Sequence, residues 1–217
     1  MTVVLVHSPL VGPLTWRPVA AELIRLGHQA VVPTATPFSG HSAFATSVAR
    51  QCSPGTVTLV GHSGAGPHLP VIASLLPGRV DALVYVDARL PHHGDPPLAH
   101  LPDETAAHVR SLVRQGMLPP WHEWFPPGTL ETILPDPQMR SAFVAELHPV
   151  PFTYYGEPVP AAEWQGPTSY LLLSEGYRHH ALAAARSGAT VAELIDHHLA
   201  MLTAPAAVAT ALHRLLI

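Results

Sequence analysis

Ser63 lies in Gly61-His62-Ser63-Gly64-Ala65-Gly66, directly after the apolar run Val57-Thr58-Leu59-Val60 and before a helical pattern. A serine on a tight strand-to-helix turn needs small residues on both sides, so that the strained backbone can form. Gly61 and Ala65, two residues either side of Ser63, supply them. Such a turn presents Oγ above the sheet and sets the N–H of Gly64 at a helix N-terminus, where charge developing on an oxygen is stabilised. A serine hydroxyl is a poor nucleophile until a base takes its proton. Acyl transfer at Ser63 therefore asks for an imidazole, a carboxylate to orient it, and two donors for the oxyanion.

The elements that must position these groups are legible as alternating patterns. Apolar, β-rich runs occupy Thr2–His7, Gln29–Pro33, Thr56–Gly61, Asp81–Asp87, Ser169–Leu173 and Val191–Ile195. They are apolar throughout rather than alternating, as parallel strands covered on both faces require. Helical patterns fill Trp16–Leu26, His41–Cys52, Gly66–Leu76, Tyr177–Arg186 and Pro205–Leu216. Strand alternating with helix predicts an α/β fold, an open, mostly parallel, doubly wound sheet of about six strands. Residues 91–167 break the rhythm and hold 15 of the 25 prolines and three of the four tryptophans. Helices are predicted there over Asp103–Gln115, with Asp103 as the cap, Thr129–Leu134 and Gln138–His148. Long insertions in compact domains are usually functional, so 91–167 reads as a helical, proline-rich cap on a core of 1–90 and 168–217.

The elbow around Ser63 in this setting resembles the nucleophile elbow of the α/β-hydrolase fold superfamily, over nearly the whole chain from Val3. The chain is similar to a trimmed, six-stranded member, without the two antiparallel strands that usually open the fold. The resemblance implies a triad in the order serine, acid, histidine. His198, on the loop after the last run and seven residues before Pro205, corresponds to the base, with His197 as the neighbour to be told apart from it. The acid is either Asp87, at the end of the fourth run, or Glu175, after the fifth. The resemblance also implies an oxyanion hole from Gly64 N–H and the loop His7-Ser8-Pro9-Leu10-Val11-Gly12-Pro13. Proline has no N–H, so Pro9 leaves the second donor to Leu10 or to the Ser8 hydroxyl, or leaves the hole deficient. Substrate contacts are expected from Pro9, His62, Trp121, Trp124, Phe125, Tyr154 and Trp164, with His122 also in reach.

Composition excludes other chemistries. All eleven basic residues are Arg, which removes Schiff bases and phosphate-loop lysines. A net charge of −4 without basic blocks offers nucleic acid no cationic face. With 47% apolar and 12% charged residues the chain folds as a globular domain. Cys52 is the single cysteine, a buried filler, so neither an internal disulfide nor a multi-thiolate zinc site forms. Sixteen histidines include the pairs His92-His93, His179-His180 and His197-His198; adjacent loop histidines point apart and rarely chelate alone, so no metal and no cofactor is expected. The opening MTVVLVHSPLVG has no basic leader, and no apolar stretch nears the roughly 18 residues of a membrane helix. The expectation is a cytoplasmic serine hydrolase for a small ester, thioester or lactone with an apolar or aromatic portion. Two alternatives share the site: proton transfer by the serine–histidine pair, as in a cyclase or lyase, and ligand binding without turnover.

Overall fold

A computed structural model of the chain describes residues 2–92 and 94–216. In chain order the strands are β1 (Thr2–Val6), β2 (Gln29–Val31), β3 (Val57–His62), β4 (Val80–Val86), β5 (Met117–Leu118), β6 (Val150–Pro151), β7 (Thr168–Leu172) and β8 (Thr190–Glu193). The α-helices are α1 (Arg17–Arg25), α2 (His41–Arg50), α3 (Leu69–Ser74), α4 (Asp103–Leu112), α5 (Thr129–Ile133), α6 (Pro137–Ala145), α7 (Thr153–Gly156), α8 (Arg178–Arg186), α9 (Ala200–Thr203) and α10 (Pro205–Leu216).

Six strands form one sheet in the order β2-β1-β3-β4-β7-β8, every neighbouring pair parallel. The chain winds outward from β1 to β2, then returns to β3 and proceeds the other way. The order thus reverses between β1 and β3, which opens a crevice at their carboxyl ends. His62 at the end of β3 pairs with Val86 at the end of β4. The residues that follow, Ser63 and Asp87, therefore leave the sheet side by side at the same edge.

Burial explains the uninterrupted apolar runs. Val3 and Leu5 of β1 face one core layer with Trp16, Val19 and Leu23 near α1 and Val208 and Leu212 of α10. Val4 and Val6 face the other, with Phe44 and Val48 of α2 and Leu69 and Ile72 of α3. Period-two alternation with both faces buried leaves few polar positions in the strand interior, Thr58 of β3 being one.

Residues 91–167 are built from α4–α7 and the antiparallel pair of two-residue strands β5 and β6. Asp103 is the first helical residue, not the cap. Pro102 occupies that position without a side-chain hydrogen bond, and Asp103 and Glu104 favour the positive end of the helix by charge alone. α4 ends at Leu112, because Gln115 (φ 52°) and Gly116 (φ 77°) turn the chain into β5. Asp136 caps α6 by accepting from the N–H of Gln138 and Met139 at 2.8 Å. Val109, Leu118, Trp124 and Tyr154 of this segment belong to the same core cluster as Leu59 and Leu83 of the sheet. Glu146 ties it further to the loop after β1, accepting from Leu14 N–H at 2.6 Å and pairing with Arg17 at 3.0 Å.

Candidate active site

The turn at Ser63 has the backbone that the small flanking residues permit. Ser63 sits at φ 56°, in the left-handed region that a β-carbon disfavours. A Cβ on Gly61 would press into the Leu69 side chain, and one on Gly66 would collide with the Arg89 carbonyl. The helix expected over Gly66–Leu76 begins later. Ser63–His68 form a 3-10 turn containing Pro67, which has no N–H to give to the ladder, and α3 starts only at Leu69.

Beside Ser63, Asp87 is fully buried, and it too has a positive φ, of 43°. Its Oδ1 accepts from the N–H of Leu173 and of Ser174, each at 2.9 Å. Its Oδ2 accepts from Ser174 Oγ at 2.5 Å and lies 2.7 Å from His198 Nδ1. Burial alone would push the Asp87 carboxyl up, but the hydrogen bond and charge of His198, with Ser174 and Leu173, hold it below the usual carboxylate range. Glu175, the other candidate acid, is exposed and gives both oxygens to Arg178 at 2.7 Å. His197 points elsewhere: its Nδ1 accepts from Leu199 N–H at 3.1 Å and its Nε2 lies 2.9 Å from Thr203 Oγ1 of α9.

Two aromatic rings flank the His198 imidazole. Tyr177 stacks on it at 4.7 Å with an 8° interplanar angle, and its hydroxyl lies 3.3 Å from Ser63 Oγ. His62 packs beside it at 4.4 Å, its Nε2 donating to the His198 carbonyl at 2.9 Å. Burial and the nearby His198 charge hold His62 well below the ordinary imidazole value, so it stays neutral. Ser63 and His198 line one tight cavity with Ser8, Leu10, Val11, His62, Trp121 and Leu199, of about 10 Å³, which is room for one water. At its edge Leu10 N–H donates to Ser8 Oγ at 3.3 Å. The Tyr154 hydroxyl fills the space that a side chain on Gly64 would take.

Three-dimensional likeness decides the fold. An extracellular α/β-hydrolase from a Paenibacillus species, whose structural and functional homology to tobacco Salicylic Acid Binding Protein 2 is reported, superposes with a TM-score of 0.78 at 21% identity, covering 99% of this chain and 98% of that one. The chain has the α/β-hydrolase fold. Among other structures with this α/β-hydrolase architecture, polyneuridine aldehyde esterase aligns at a TM-score of 0.70 and 15% identity over 100% and 99% of the two chains. A pyrethroid hydrolase from Sphingobium faniae gives 0.69 and 20% over 99% and 96%. By sequence, the carbendazim hydrolyzing esterase of Nocardioides sp. (strain SG-4G) is 34% identical over 112 residues. That match spans 46% of this chain and 46% of the esterase, less than half of either. No family model matches the chain.

Within this α/β-hydrolase fold, not every residue expected to meet a substrate comes to Ser63. His62, Trp121 and Tyr154 do. Pro9 is buried in its loop. Trp124 turns inward on Tyr155 and donates to the Pro119 carbonyl at 2.8 Å. Phe125 is exposed beside Trp121 and, with His122, lines a cavity of about 770 Å³ on the outside of 91–167. Trp164 lines a third cavity with Tyr85 and Ala184. Spacing along a proline-rich segment carries no information on which aromatic faces in. Two residues that the sequence reading passed over stand at the site. Tyr177 opened a helical pattern and looked like a helix start. Arg89, two residues after Asp87, is buried with its Nη2 donating to Tyr154 Oη at 3.1 Å and Tyr155 Oη at 3.4 Å. Its signal was a lone cation just past a strand, in a chain with little charge. Among the described residues no group of three or more His, Cys, Asp or Glu is placed to hold a metal ion, and no described helix is long and apolar enough to cross a membrane. His93 lies outside the described residues.

Proposed function

We propose that the protein is a serine hydrolase that cleaves a small carboxylic ester, thioester or lactone through an acyl-enzyme, with Ser63 as nucleophile, His198 as base and Asp87 as acid. The observation that carries this reading is the 2.7 Å contact between His198 Nδ1 and the buried Asp87 carboxylate, beside a cavity that His198 shares with Ser63. With Nδ1 engaged, Nε2 is the nitrogen left to act as base. It takes the Ser63 proton as Oγ bonds to the carbonyl carbon, then returns that proton to the leaving alcohol or thiol as the carbon–heteroatom bond breaks. Water repeats the cycle and frees the acid. Gly64 N–H donates to the oxyanion, with Leu10 N–H or the Ser8 hydroxyl as second donor. Residues 91–167 act as a cap over the Ser63 cavity, with Trp121 as its contact. The partial match to a carbendazim-hydrolyzing esterase favours substrates with an aromatic portion.

The bond from Leu10 N–H to Ser8 Oγ favours a second reading, in which His198 and Ser63 move a proton on a substrate and no acyl-serine accumulates. Intact-protein mass after fluorophosphonate treatment separates the two. The hydrolase reading expects one adduct on wild type and none on Ser63→Ala or His198→Ala. A folded wild type that takes no adduct sinks it and leaves the proton-transfer reading standing.

A further inference from the structure

Arg89 is the most costly side chain in the site to bury, and neither the fold nor the proposed reaction uses its charge. Its backbone N–H donates to the Ser63 carbonyl at 3.1 Å, which fixes it beside the elbow. The side chain is 9% exposed. Nη2 meets the hydroxyls of Tyr154 and Tyr155, and the guanidinium lies 5.1 Å from the Tyr155 ring centroid and 5.9 Å from that of Tyr154. Nη1 is buried and has no hydrogen-bond partner among the described residues.

A guanidinium does not shed its proton, so burial leaves a full positive charge that phenols solvate but do not neutralise. Among the described residues no carboxylate lies within ion-pair distance of it. The nearest by chain position, Asp87, has both oxygens committed to His198, Ser174 and Leu173. Asp95 lines a small cavity with Arg89, but its side chain is 64% exposed and faces His100 at 3.5 Å. The buried His41 and His68 and the half-buried His180 are held neutral by burial first and by the Arg89 charge in addition. The site therefore contains one uncompensated cation with an orphaned donor, one tyrosine hydroxyl away from Gly64.

We infer that Arg89 receives a carboxylate carried by the substrate, so that the ester cleaved at Ser63 belongs to a molecule bearing a second, free acid group. The inference rests on the hydrolase reading for its turnover but not for its binding. Nη1, whose two N–H groups are unengaged among the described residues, donates to such a group, and its negative charge balances the one that the protein leaves open. Tyr154, between Arg89 and Gly64, sets the distance from that carboxylate to the reacting carbonyl.

Two matched pairs of esters test this: 4-nitrophenyl hemiglutarate against 4-nitrophenyl glutaramate, and 4-acetoxybenzoate against 4-acetoxybenzamide. In one pair or the other, wild type is expected to show kcat/KM about thirty-fold or more in favour of the anion. Arg89→Gln should bring the ratio of kcat/KM between the anionic and the neutral member of the pair to within about threefold of one, whatever the absolute rates, since the charge pair is lost. Arg89→Lys should keep part of it. Equal rates on both members of both pairs with wild type overturn the inference, and that comparison needs no variant to fold. If no ester turns over and Ser63 takes no fluorophosphonate, it is the hydrolase reading that has failed. Calorimetry with glutarate against glutaramide then decides alone: tighter glutarate binding that Arg89→Gln abolishes supports the inference, and equal affinities overturn it.

Discussion

Asp87 collects three donors from Leu173 and Ser174, the two residues after β7, besides its contact with His198. The loop that carries Glu175 thus spends its backbone holding another carboxylate, while Glu175 itself faces solvent. Asp87→Asn would place an amide where only acceptors fit and would no longer favour the His198 tautomer with its proton on Nδ1. We expect kcat for an activated ester to fall on the order of a thousand-fold or more with the circular dichroism spectrum unchanged. An unchanged kcat would remove Asp87 from the mechanism. Ser63, His198 and the two alternative acids Asp87 and Glu175 were legible as candidates because each lies at the end of a strand run or within three residues of it, at the carboxyl edge where open parallel sheets bind ligands. Tyr177 and Arg89 were not, because their approach to Ser63 depends on how α8 and the chain past Asp87 lie over the turn.

At the scale of elements, the join of β3 to α3 is set by Gly61, Gly66 and Pro67. The Arg89 carbonyl lies where a Gly66 side chain would begin, and this backbone has no flexible end to yield. Gly66→Ala should lower stability by about 1–3 kcal/mol, read as a drop of several degrees in Tm by calorimetry. A wild-type Tm would show that the two backbones separate easily. The alternation of apolar runs and helical stripes gave the sheet its strands and helices, since burial on both faces leaves a clear pattern. Helix ends were less legible. Pro67 delayed α3, the turn at Gln115 and Gly116 shortened α4, and the pair β5–β6 has only two residues per strand, too few for any periodicity to register.

The molecule as a whole carries several histidines that folding forces to stay neutral. His68 is 1% exposed, its Nδ1 3.1 Å from the Gly64 carbonyl and its Nε2 2.9 Å from His41 Nδ1. Burial, then His41, pushes it down to about 3. The unfolded chain takes up a proton at this residue below about 6.5, whereas the folded one resists until near 3. Full stability from this group is therefore present above about 6.5, and each unit of pH below that costs about 1.4 kcal/mol until the folded value is reached. His68→Gln should flatten the acid limb of a plot of unfolding free energy against pH. An unaltered slope would assign that limb to other groups. Residues 91–167 share the main core through Val109, Leu118 and Trp124. Their intimacy with the sheet was not legible from the prolines, because irregular segments bury apolar groups without any period.

Two side-chain-bearing residues at adjacent strand ends, Ser63 and Asp87, occupy backbone that glycine would adopt freely. Each such position costs about 1–3 kcal/mol relative to a relaxed one. On the serine-hydrolase reading, activity and thermal endurance are thus set against each other at these two residues. Ser63→Gly should melt higher than Ser63→Ala, although both lack the hydroxyl, because only the glycine releases the strain. If the two melt together, the turn is relaxed and the protein gives up no endurance for the proposed nucleophile.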